Sequence, residues 1–166
     1  MLWYFSQRIF HLLSLKQFEP PSGGFFVHKM DKLKTILKQA EGLSLKPYDD
    51  MGDMSIGHGR NLTQIGISPI VADLMLGEDI TRCWSECHKS YRFFSKLDQV
   101  RKESLVELNF NMGQTRLALF RKMLGALAKG DWEKGAEELL DSKYARQLPA
   151  RAKRIAEQLR TGEYEF

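Results

Sequence analysis

The stretch Glu41-Gly42-Leu43-Ser44-Leu45-Lys46-Pro47-Tyr48-Asp49-Asp50-Met51-Gly52-Asp53-Met54-Ser55-Ile56-Gly57-His58-Gly59-Arg60-Asn61-Leu62 decides how this chain is read. Ahead of it, Leu33, Ile36, Leu37 and Ala40 repeat at helical spacing, and Gly42 suits the position just past a helix end. The stretch itself breaks that period. It is rich in glycine and aspartate, it alternates, and it predicts a β hairpin around Asp49–Asp53. Glu41 therefore falls in the last turn of a helix, and Asp49 and Asp50 follow it beside a turn.

Downstream of this stretch the chain turns helical. Ser68-Pro69 marks a helix start, with proline suited to the first helical position. That helix is expected to run to about His88, weakened by Gly77. Further helices are expected near Gln99–Met112, Thr115–Ala128, Trp132–Leu140 and Pro149–Arg160, with Gly113, Gly130-Asp131 and Pro149 at the joints. The stripe Leu117, Phe120, Met123 and Leu127 reads as helix core. No internal repeat or low-complexity tract interrupts this order. Helix, small hairpin, then many helices make an α+β domain that is mostly helical.

Upstream, residues 1–29 read as an N-terminal extension to a domain spanning residues 30–166. Met1–Leu15 is rich in aromatics and leucine, interrupted by Arg8 and His11, and Pro20-Pro21-Ser22-Gly23-Gly24 breaks whatever precedes it. The apolar run has no basic region ahead of it and no clear small-residue cleavage site, so it matches a signal peptide only loosely. An amphipathic arm at a membrane surface and an extension ahead of a start at Met30 both remain open.

The 166 residues carry a net charge of +4, with 43% hydrophobic and 28% charged residues. A chain of this length buries roughly 70% of its unfolded surface and needs no staples. The sequence pI is near 9.1. This mild excess lacks the dense clustering of a nucleic-acid binder, and nucleic acid is not an expected partner. It would favour approach to an anionic polymer, although an ordinary solvated surface explains it equally well. Lys143, Arg146, Arg151, Lys153, Arg154 and Arg160 concentrate positive charge near the C-terminus, as a solvated helix face does. Cys83 and Cys87 stand one helical turn apart, a poor disulfide geometry. With His88 they fall short of a four-ligand metal set, so no metal and no cofactor is expected. No stretch reaches the roughly 18 apolar residues of a membrane span. A monomer is expected.

Two carboxylates at a helix end and a hairpin can stand on opposite walls of one cleft. Glycoside hydrolysis needs that pair: one carboxyl protonates the leaving oxygen, and another supports water or attacks the sugar. The negative end of the helix dipole opposes charge on a carboxylate at Glu41 by about 0.3–1 kcal/mol, which favours a proton donor there. Taken alone, an acidic helix end and an aspartate-rich turn are common and fix no reaction.

The wider pattern is more specific. Glu41-Gly42, Tyr48, the aspartate that follows, Gly52 and Ser55-Ile56-Gly57-His58-Gly59 resemble the active-site signature of the phage-type lysozymes, glycoside hydrolase family twenty-four. Asn111-Met112-Gly113, Phe120, Gly130-Asp131-Trp132, Asp141–Gln147, Arg151-Ala152-Lys153-Arg154 and Arg160-Thr161-Gly162 extend the resemblance from about Met30 to the C-terminus. There are two departures. Serine at position 55 stands where the family has threonine, which keeps the hydroxyl but loses the methyl that fixes its rotamer. The turn is one residue shorter than the family's. Counting forward from Glu41 therefore gives Asp50 as the catalytic aspartate, and counting back from Gly52 gives Asp49; a deletion within the turn favours Asp50.

The resemblance implies a lysozyme-like two-lobed fold with a small β lobe beside the active-site cleft. It implies a muramidase that hydrolyses the β-1,4 bond between N-acetylmuramic acid and N-acetylglucosamine in bacterial peptidoglycan, by an inverting reaction. The enzyme would be made in a host cytoplasm and act on the wall after release. Glu41 would be the general acid, Asp50 (or Asp49) would position water or stabilise positive charge on the sugar, and the Ser55 hydroxyl would hold that water. Arg151 would pair with Glu41. Asn61, Leu62, Phe110 and Asn111 would line the glycan groove, although by type Leu62 and Phe110 are more often core residues. His58, between two glycines, could meet substrate or pack beside the hairpin. The rival readings are a lytic transglycosylase, against which the retained aspartate and Ser55 count, and a catalytically inactive peptidoglycan-binding protein. In a third, residues 1–29 act as a membrane or partner arm.

Overall fold

The computed structural model describes residues 24–165, which divide into two compact units on either side of Gly66 and Ile67. The first unit holds helix α1 (Gly24–Glu41) and strands β1 (Ser44–Asp50), β2 (Asp53–Gly57) and β3 (Arg60–Asn61), in an antiparallel sheet of order β1-β2-β3. Helix α1 runs through Met30, so the boundary expected there falls inside a helix. Met1–Leu15 and the breaker cluster up to Gly23 lie outside the described residues. The helix stops at Glu41 because Gly42 takes φ +70°, the left-handed conformation that ends helices.

The short turn foreseen in the hairpin is a two-residue connection, Met51-Gly52, with φ +55° and +96°. Positive φ at both central positions is the type I′ geometry that matches the twist of paired strands. Glycine adopts it freely; Met51 adopts it against a steric cost. Beyond β2 the chain is held by side chains. Asn61 Nδ2 donates to Asp53 Oδ2 at 2.8 Å and Gln64 Nε2 donates to Asp53 Oδ1 at 3.2 Å. The Gln64 amide donates to Asn61 Oδ1 at 2.7 Å, and the Met54 amide to Thr63 Oγ1 at 2.9 Å.

The second unit is helical. It contains α2 (Pro69–Ser90), a 3₁₀ turn at Phe94–Lys96, α3 (Gln99–Met112), α4 (Gln114–Leu117), α5 (Arg121–Lys129), α6 (Trp132–Leu140), α7 (Lys143–Gln147) and α8 (Pro149–Thr161). Local chemistry sets these boundaries. Ser68 caps α2 ahead of Pro69, and the side chains of Asp98, Asp131 and Ser142 accept the N-terminal amides of α3, α6 and α7. The single helix expected over Thr115–Ala128 is two helices, α4 and α5. The Leu119 and Phe120 amides donate three residues back, to Arg116 and Leu117, which tightens the end of α4, and Phe120 leaves helical geometry at ψ +50°. Leu117, Met123 and Leu127 nonetheless all reach the core, so apolar periodicity could not reveal the break.

That core gathers Phe94, Leu105, Leu108, Leu127, Leu139, Ile155 and Leu159 around the fully buried Cys83 and Cys87. Both thiols are free, and burial pushes Cys87 up to about 12. The first half of α2 is different: Ile70, Leu74 and Met75 are exposed. Buried Arg101 closes the C-terminal end of α8, donating to the carbonyls of Leu159 (2.7 Å) and Arg160 (2.8 Å) while its guanidinium lies over Trp132. Gly162 leaves room for it; a Cβ there would fall 2.5 Å from Arg101 Nη1. Among the described residues no helix is long and apolar enough to cross a membrane.

Candidate active site

Helix α1 carries Glu41 as its last residue, and Glu41 is exposed. The β2–β3 turn lies close to it: a Cβ built on Gly59 would stand 3.8 Å from Glu41 Oε2. The neighbouring His58 donates its Nδ1–H to the carbonyl of Gly42, directly after the acid. His58 is exposed, and its bond to the helix end is a role that sequence reasoning did not assign.

The hairpin register separates the two candidate aspartates. Tyr48 opposes Ser55, and Asp50 opposes Asp53. Directly paired residues of antiparallel strands share a face, and side chains alternate faces along each strand. Tyr48, Asp50, Asp53 and Ser55 therefore lie on one face, joined by Asn61, which opposes Ser55 on β3. The Asn61–Asp53 hydrogen bond agrees with this assignment. Asp49 opposes Met54 and falls on the other face.

The carboxylates also differ in their partners. Asp49 is exposed and its Oδ1 accepts the Gly52 amide at 3.3 Å, which braces the turn. Both oxygens of Asp53 are engaged by Asn61 and Gln64. Asp50 is half-buried, and its carboxylate accepts no hydrogen bond among the described residues. Ser55 is 1% exposed, the single buried side chain among the described residues of this unit. A half-buried carboxylate free to accept, on the face of a buried hydroxyl, can hold and deprotonate a small polar molecule. Asp49 and Asp53 are already committed to shaping the loop.

The remaining candidates divide between the units. Asn61 has both ends of its amide engaged inside its own loop, and Leu62 is half-buried, its amide donating to the Met54 carbonyl at 2.6 Å. In the second unit Phe110 is 46% exposed on α3, so it is not a core residue. Asn111 donates through Nδ2 to the Glu107 carbonyl at 2.8 Å and accepts from Arg151. Arg151 also approaches Glu107 at 3.8 Å, and Arg154 donates to the same carboxylate at 2.6 Å. Buried Tyr144 lies beside this group; burial pushes its phenol up, with the Arg151 charge opposing. Sequence reading missed Glu107 as the hub of this cluster. The spacing of Glu107 from Arg151 and Arg154 gives no local signal, since the contact forms only when α3 packs on α8. The basic C-terminal stretch is thus partly neutralised, with Arg160 also paired to Glu133 at 2.8 Å and to Glu157.

Comparison with known proteins bears on the same segments. The family model described as Phage lysozyme matches residues 38–158, spanning the helix end, the hairpin and the helices to α8. Probable T4-type lysozyme 2 of Dictyostelium discoideum is 26% identical over 163 residues, covering 80% of this chain and 96% of that protein. Probable T4-type lysozyme 1 of the same organism is 28% identical, with the same coverage. The Pre-baseplate central spike protein Gp5 of Enterobacteria phage T4 is 29% identical over 162 residues, or 78% of this chain but only 28% of that protein.

Proposed function

Because the chain belongs to the phage lysozyme family, and is thereby a lysozyme-like glycoside hydrolase, we propose that it is a muramidase. Its substrate is the β-1,4 bond between N-acetylmuramic acid and N-acetylglucosamine in bacterial peptidoglycan, and its biological task is lysis of a host wall. The observation that carries this reading is the hairpin register, which puts Asp50 and buried Ser55 on one face of the sheet whose β2–β3 turn adjoins Glu41.

Glu41 gives its proton to the glycosidic oxygen as the C1–O bond breaks. Water, held by the Ser55 hydroxyl and the Asp50 carboxylate, attacks C1 from the opposite side and passes its proton to Asp50. The anomeric configuration inverts. Asp49 is assigned a turn role, in keeping with its bond to the Gly52 amide. Within the first unit, a glycan contact is assigned to Leu62, beside the loop that Asn61 and Asp53 shape.

The test is digestion of purified peptidoglycan, followed by mass analysis of the new glycan ends. Reducing ends with one added water support hydrolysis. Anhydro ends would make the protein a transglycosylase, and binding without cleavage would make it a wall-binding protein. Proton NMR of the first-formed product decides the stereochemistry: the α-anomer is expected, and the β-anomer would refute inversion.

A further inference from the structure

We propose that His58 is a positioning residue for Glu41: its Nδ1–H, donated to the Gly42 carbonyl, ties the helix end that carries the acid to the β2–β3 turn. This rests on the reading of Glu41 as the general acid. Three observations in one unit lead here. The Gly42 carbonyl lies past the end of α1, where backbone carbonyls have no partner within the helix. His58 supplies that partner across 16 residues of sequence. The next residue, Gly59, is the one whose Cβ would stand 3.8 Å from Glu41 Oε2, so the tie is made beside the carboxylate it positions. Gly57 and Gly59, at φ +71° and +84°, turn the backbone on both sides of His58.

The bond also fixes the ring's chemistry. A carbonyl can only accept, so Nδ1 must carry the hydrogen, and in the neutral ring Nε2 is left as the acceptor. Nδ1 is the donor to this carbonyl, and no proton has to move for the tie to hold. Its purpose is therefore geometric: to keep Gly42, and with it the Glu41 side chain, from swinging on the left-handed glycine hinge.

Two substitutions test this in the full chain. His58→Leu keeps bulk and removes the donor, while His58→Asn can place an N–H near the position of Nδ1. For His58→Leu, kcat on soluble glycan fragments should fall about 10-fold, below the ~10²-fold that a 1 Å misplacement can cost, with KM within about twofold of the parent. His58→Asn should restore most of kcat. A wild-type kcat in His58→Leu, a loss confined to KM, or no recovery in His58→Asn overturns the proposal. Nitrogen-15 NMR of the histidine rings gives a reading that does not depend on turnover: the His58 Nδ1–H tautomer supports the bond, and the Nε2–H tautomer removes it. If Glu41→Gln stays active, the acid assignment falls and the positioning role with it; the tautomer spectrum tells that failure from a missing hydrogen bond.

Discussion

The two units are held together by different physics. In the second, every helix contributes to one apolar core, and all the buried apolar side chains among the described residues fall between Cys83 and Leu159. In the first, the described residues bury only Ser55, and order comes from hydrogen bonds at turns: Asp49 to Gly52, Asp53 to Asn61 and Gln64, Thr63 to Met54, His58 to Gly42. Apolar burial tolerates substitution by similar shapes, whereas a network of polar partners fixes geometry one atom at a time. The proposed chemistry lies largely in the unit with the geometric control, so substitutions there should change turnover more than stability. In the helical unit the reverse should hold.

The largest expected effect is in turnover. Glu41→Gln should lower wall lysis by about 10²–10⁴-fold, the usual worth of a general acid, with an unchanged thermal midpoint. Near-parental turnover in that variant would end the proposed mechanism. Asp50→Asn should also cost far more activity than Asp49→Asn, because amide oxygen can still accept the Gly52 amide at position 49 while position 50 loses its base. A kinetic comparison with the reverse order would move the catalytic role to Asp49.

Stability should respond next, and in the other unit. Leu139→Ala removes a fully buried side chain from the middle of the helical core, at an expected cost of about 2–5 kcal/mol. Urea titration followed by circular dichroism measures it. A loss well under 1 kcal/mol would mean that the core is loosely packed and that the contrast between the units is false. Asp53→Ala offers the matching test in the first unit. Its carboxylate joins two side chains at a partly exposed site, so about 1 kcal/mol of local stability is expected to go. Faster hydrogen exchange at the Leu62 and Met54 amides, with little change in the urea midpoint, is the expected signature.

How much of this was legible in the sequence follows the same division. The bounds of α3 and α6 agree with expectation because capping aspartates and glycine joints are local signals. The split between α4 and α5 was not legible, since Leu117 and Met123 satisfy one apolar period across the bend. At the site, the two ways of counting give different aspartates, and the sequence favours Asp50 only through the position of the deletion within the turn. The strand register then puts the two on opposite faces, and only Asp50 shares that of Ser55. The contacts of Glu107 with Arg151 and Arg154, and of His58 with Gly42, join residues distant in sequence and carry no motif.

The smallest effect concerns the turn next to Asp50. Met51 holds φ +55°, in the left-handed region where a side chain other than glycine or asparagine is strained. It is 96% exposed, so its side chain makes almost no packing contribution that could offset the strain. The sequence Asn-Gly is the favoured pair for a type I′ turn, because asparagine tolerates positive φ at the first central position. Met51→Asn should therefore stabilise the hairpin by about 0.5–1 kcal/mol, part of the 1–2 kcal/mol that the left-handed conformation costs an ordinary residue. The gain belongs to the first unit and should be read there, as a slowing of Leu62 amide exchange by about two- to fivefold. Activity is the sharper half of the test. Asp50 borders the turn, so a stiffer hairpin in the same register should leave kcat unchanged or slightly higher. Slower exchange together with a clear loss of kcat would show that the site needs the strained turn to move, and that geometric control in this unit includes flexibility as well as fixed hydrogen bonds.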